Sequence, residues 1–166
     1  MTIEQLVKEL NSPAYKTEDK KIVLLKKYLK VDYIDYLAKI ELCKQILFKS
    51  MYVEVDGKEV YKPDSPLRYA LTISAYLQAY YNFELNSVFM EDLNVLERNN
   101  LTGLLIKAIG SDVERLNIVM NMMVDDLDYA NSLVPYLDTK TEALGMALDS
   151  LTKASEVKNN EEKDNE

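Results

Sequence analysis

The chain has 166 residues, a net charge of −8, one cysteine (Cys43) and no histidine. Those counts exclude a Cys/His zinc site, an imidazole-based catalytic triad and a disulfide within the chain. Hydrophobic residues make up 48%, with only 4 Gly and 4 Pro, which favours a helical domain with a real core over a loop-rich or all-β fold.

Ile3, Leu6, Val7 and Leu10 recur at helical spacing behind Thr2 as N-cap, and Asn11-Ser12-Pro13 ends that first helix. A second helix is predicted from Thr17 to Lys30. Glu18 and Asp19 fill its first turn and lysines its later turns, the order the helix dipole favours. A third begins near Asp32, with Ile34, Leu37, Ile46 and Leu47 three and four apart and Cys43 in the apolar run as an inert packed thiol.

The period then changes to two. Tyr52 to Val55 leads into Asp56-Gly57, and Lys58 to Tyr61 leads out, which predicts a β-hairpin over about 52–61. Val53 and Val55 should share one face, with Tyr52, Glu54 and Lys58 on the other. A lone hairpin is marginal in water, so it should pack on helices or pair with another chain.

Ser65 as N-cap and Pro66 at the first helical position start a helix reaching about Asn82. It is apolar around most of its circumference, so it should be central, with Leu67, Leu71, Leu77 and Tyr81 on its stripe. Asn86 to Leu96 should bury Phe89, Met90, Leu93 and Leu96, and Leu101 to Ile109 should stop at Gly110. A Ser111…Glu114 capping box opens a helix over about 112–131. Asn131 to Pro135 reads as a turn, followed by a last helix over about 139–154. The predicted fold is mainly α: a compact bundle of six to eight helices with one inserted hairpin. Residues 1–155 form its single domain, and 156–166 form a disordered acidic tail.

Charge is uneven. Residues 1–62 carry 12 Lys and 10 Asp or Glu, whereas residues 111–155 carry 3 basic and 8 acidic groups. So acidic a C-terminal half should not bind a nucleic-acid backbone. No apolar run approaches the roughly 18 residues of a membrane span. Glu4 precedes any apolar stretch, so no secretory signal is read. The expected site is the cytoplasm of a host, with incorporation into a virion left open.

Few residues offer chemistry. Asn121, Asp125 and Asp128 share a helix face, with Asp126 beside them, so they could in principle hold a hard cation. No second acidic helix complements them, and no metal or cofactor is expected. Glu91, Asp92 and Glu97 form a second acidic group, and helical spacing alone does not set them in a cleft. The 12 tyrosines against 3 Phe are the stronger signal, since tyrosine is enriched at protein interfaces. The interface candidates are Tyr52, Val53, Val55, Tyr61, Tyr76, Tyr80 and, among the methionines, Met122.

Ala38-Lys39-Ile40-Glu41-Leu42-Cys43, the Asp56-Gly57 hairpin, Ser65-Pro66-Leu67-Arg68-Tyr69 and Asp125-Asp126-Leu127 together resemble small helical proteins encoded by phages and prophages of low-GC Gram-positive bacteria. The resemblance implies a virion component, an assembly helper or a host-directed factor, and it brings no catalytic residues. The function expected is a non-enzymatic protein–protein interaction module of a phage or mobile element, engaging a protein partner or a second copy of itself. The alternative is an acidic inhibitor, of the host-defence or anti-CRISPR type, that blocks a partner's nucleic-acid site. It requires the carboxylates of 112–149 to line one face. A metal-dependent hydrolase built on Asp125 is the third reading.

Overall fold

Helix α1 (Ile3–Leu10) begins at a complete capping box: the Gln5 N–H donates to Thr2 Oγ1 at 3.3 Å, and the Thr2 N–H donates to Gln5 Oε1 at 3.0 Å. The computed structural model describes residues 1–163, with side chains described for all of these except 134, 135, 138 and 149–163. After a 3-10 turn at Pro13–Tyr15 come α2 (Glu18–Lys26), α3 (Tyr36–Met51), β1 (Tyr52–Val55), β2 (Lys58–Tyr61), α4 (Ser65–Tyr80), α5 (Phe89–Arg98), α6 (Thr102–Ile109) and α7 (Ser111–Lys163). The fold is mainly α with one inserted antiparallel hairpin, as the sequence predicts.

Tertiary hydrogen bonds move several boundaries. Helix α2 stops at Lys26 rather than Lys30 because the chain after it pairs with the end of α4. The Lys30 N–H donates to the Tyr80 carbonyl at 2.8 Å, and the Asn82 N–H donates to the Tyr28 carbonyl at 3.2 Å. Helix α3 starts at Tyr36, where the Asp35 carboxylate caps the Ala38 N–H at 2.9 Å. Asp64, not Ser65, caps α4, accepting from the Leu67 N–H at 2.9 Å. Helix α4 buries Ala70, Ile73, Ser74, Ala75, Tyr76, Leu77 and Tyr80, while Leu67 is exposed and Leu71 half-buried. In α5, Leu93 and Leu96 are buried but Met90 is exposed.

Two compact units divide the chain, Met1–Val124 and Asp125–Glu166. In the first, α3 packs on α4, α2 on α6 and α1 on α5, and α4 also meets α5 and α6. The opening turns of α7 join this core through Val113, Leu116, Val119 and Met120. The second unit, as far as it is described, is α7 alone.

The turn expected at Asn131–Pro135 is absent, because α7 runs through it. Asn131 Nδ2 donates back to the Leu127 carbonyl at 2.8 Å, and Ser132 Oγ donates to the Tyr129 carbonyl at 2.9 Å. Both side chains bond back to carbonyls of the preceding helical turn instead of closing a turn. Of the tail expected to be disordered, residues 156–163 continue α7, and 164–166 lie outside the described residues.

Candidate functional site

The hairpin is built by Asp56 (φ 51°) and Gly57 (φ 74°), the left-handed pair a two-residue type I′ turn requires. Register pairs Tyr52 with Tyr61, Val53 with Val60, Glu54 with Glu59 and Val55 with Lys58. Lys58 therefore shares the valine face, a correction to its expected place beside Tyr52 and Glu54. The tyrosine face packs: the Tyr52 ring lies 5.6 Å from Tyr61 and 6.1 Å from Phe48. Val53, Val55 and Val60 are exposed on the other face.

Tyr76 and Tyr80, expected at an interface, are core residues, 3% and 0% exposed. Each hydroxyl is used internally, Tyr76 donating to Asn117 Oδ1 at 2.5 Å and Tyr80 to Asp112 Oδ2 at 2.8 Å. Burial pushes the Tyr76 phenol up to about 12. Burial, then the Asp112 carboxylate, raises that of Tyr80 further. Tyrosine identity alone does not tell which helix face a ring occupies.

Lys39 and Asp112 form a buried ion pair at 2.8 Å. The Lys39 ammonium also donates to the Ile34 carbonyl. Asp112 Oδ2 accepts from the Ile34 N–H at 3.0 Å as well as from Tyr80. Burial disfavours the Asp112 carboxylate, but Lys39, the Ile34 N–H and Tyr80 outweigh it, so its pKa lies below the ordinary value. Asp112 also sits in the first turn of α7, where the helix dipole favours an anion. The pair clamps the 31–35 segment and α3 to the start of α7.

Beside this clamp lies a groove of about 340 Å³, lined by Tyr33, Tyr36, Lys39, Arg115, Ile118, Val119 and Met122. The Lys39 ammonium stands 4.0 Å from the Tyr33 ring centroid. Tyr33, Tyr36, Ile118 and Met122 are exposed, so Met122 stands at the surface in an aromatic and aliphatic setting.

Further along, α7 carries a repeat that the sequence reading divided at Pro135. Positions 116, 120, 123, 127, 130, 134, 137, 141, 144, 148 and 151 alternate steps of four and three, and they hold Leu, Met, Met, Leu, Ala, Val, Leu, Thr, Leu, Leu and Leu. Leu116 and Met120 are buried in the first unit. Leu137, Leu144 and Leu148 are 51%, 66% and 63% exposed. Its sequence signal is the four-and-three spacing that continues unbroken on both sides of Pro135.

The candidate chemistry is dispersed. Asp92 is buried and holds Asn86, accepting from its N–H at 2.7 Å and its Nδ2 at 2.6 Å. Glu97 accepts from Thr102 Oγ1 and Tyr69 OH, each at 2.6 Å, and these bonds hold its carboxyl below the ordinary range. Asn121, Asp125, Asp126 and Asp128 are exposed on α7, and among the described residues no three His, Cys, Asp or Glu side chains gather as a metal site. No helix of the described residues is long and apolar enough to cross a membrane. Compared with family models, curated proteins and solved structures, the chain matches none.

Proposed function

We propose that this chain is a non-enzymatic protein–protein interaction module, a structural or assembly component of the phage or mobile-element kind that its resemblance implies. One observation carries the reading: the second unit is a single helix with large apolar side chains exposed at a regular spacing. A helix alone has nothing to bury that face against, and in proteins most helical stability comes from packing an amphipathic face rather than from intrinsic propensity. Pro135 inside it removes a backbone donor at a cost of about 3 kcal/mol. Covering what is exposed of Leu137, Leu144 and Leu148 returns on the order of 3–5 kcal/mol per chain.

The test is replacement at the chain's own locus. Leu137→Asp with Leu144→Asp should abolish its function in the source while residues 1–124 stay folded. Asp125→Asn, Asp126→Asn and Asp128→Asn together should leave it intact. The reverse pattern would transfer the function to the acidic groups, as the inhibitor and hydrolase readings require.

A further inference from the structure

We infer that the cover for the α7 seam is the same seam of a second copy of this chain, paired antiparallel over residues 127–151. The inference rests on the interaction reading above and names its partner. A strict seven-residue repeat faces a neighbour over several turns only when that neighbour is a helix of the same period. From 127 to 151 the repeat spans about three and a half heptads, about 36 Å of helix, within the length at which such seams associate. A foreign coiled-coil partner is ordinarily selected by charges flanking the seam. Here the flanking positions 124, 131, 133, 145, 147, 152 and 154 hold Val, Asn, Leu, Gly, Ala, Thr and Ala, and only Asp126, Asp138 and Lys140 are charged.

The seam is instead complementary to its own reversal. Turned about its midpoint near residue 139, position 127 meets 151, 130 meets 148, 134 meets 144 and 137 meets 141. Each small or polar member, Ala130 and Thr141, then faces a leucine, Leu148 and Leu137. A parallel pair would set Ala130 on Ala130 and Thr141 on Thr141, leaving underfilled layers. Charge points the same way. Residues 125–138 hold four Asp and no Lys or Arg, whereas 139–163 hold four Lys and five Asp or Glu. Antiparallel pairing lays the strongly acidic stretch along the nearly neutral one; parallel pairing lays it on itself.

The experiment is sedimentation equilibrium on the full chain at about 100 µM, where even a weak micromolar dimer is populated. The wild type should show twice the 19.1 kDa chain mass. Leu137→Asp with Leu144→Asp, and separately the milder Leu137→Ala with Leu144→Ala, should fall toward the single mass, with thermal unfolding of the core unchanged. Direction is read by oxidative trapping. The double variant Ala130→Cys with Leu148→Cys should cross-link between copies in high yield, and Ala130→Cys alone should not. A monomeric wild type, or a dimer that survives both leucine variants, overturns the inference. Efficient cross-linking of Ala130→Cys alone overturns the antiparallel arrangement. A monomeric chain whose function at its locus is still lost in the aspartate variant overturns self-pairing while leaving the interaction reading in place; an unaffected function removes both.

Discussion

Lys39 on α3 and Asp112 on α7 meet at 2.8 Å with side chains 2% and 5% exposed, joining two helices 73 residues apart in sequence. Removing one partner of a buried pair strands the other charge, which typically costs about 3–5 kcal/mol. Asp112→Ala should therefore destabilise residues 1–124 strongly in urea unfolding. Lys39→Met with Asp112→Leu should cost less than Asp112→Ala alone, because no charge is left unpaired. A single variant within about 0.5 kcal/mol of wild type would show that the clamp contributes nothing.

The same pair sets an acid limit. The folded-state pKa of Asp112 lies below its ordinary value, held there by Lys39, the Ile34 N–H and Tyr80 against the opposing effect of burial. Its stabilising contribution is thus complete above the unfolded value, about 3.9, and is lost as pH falls through the lower folded one. Stability measured from pH 6 downward should decline below about pH 4, and the decline should be shallower in Asp112→Asn.

At the alkaline end the sign reverses. Burial raises the Tyr76 phenol to about 12, so its contribution is complete below the ordinary value near 10 and is lost as pH rises through the folded one. Tyr76→Phe loses a hydrogen bond to Asn117, worth about 0.5–1.5 kcal/mol at pH 7. Its stability should nevertheless decline less steeply with pH above about 10 than that of the wild type. An alkaline transition identical to wild type would show that Tyr76 ionisation plays no part in it.

Local signals were legible where one short segment carries its own answer. Thr2 with Gln5 caps α1 and Asp56-Gly57 turns the hairpin, as their residue types require. The Lys39–Asp112 clamp has no local signal beyond Lys39 sharing the stripe of Cys43, Ile46 and Ser50, because its partner lies far along the chain. The burial of Tyr76 and Tyr80 was not legible, because tyrosine suits a core with an internal acceptor as well as it suits an interface. The α7 seam was hidden by Pro135, a residue that ordinarily ends a helix.

The hairpin sets two carboxylates, Glu54 and Glu59, directly opposite each other. Like charges in that relation are destabilising, whereas an opposite pair contributes roughly 0.2–1 kcal/mol. Glu59→Lys should raise the stability of residues 1–124 by about that amount at low salt, and added salt should reduce the gain. A loss of stability would mean that Glu59 serves a contact outside the hairpin pair.

Amide hydrogen exchange of residues 125–151 in the full chain, at low and high protein concentration, tests most directly that α7 exists to be covered. A helix of this unit standing alone should exchange within seconds, and one paired along its seam should be protected. The account predicts protection over 127–151 that rises with concentration, while residues 1–124 exchange the same at both. Fast exchange over 127–151 at every concentration, with or without extract from the source, would contradict it.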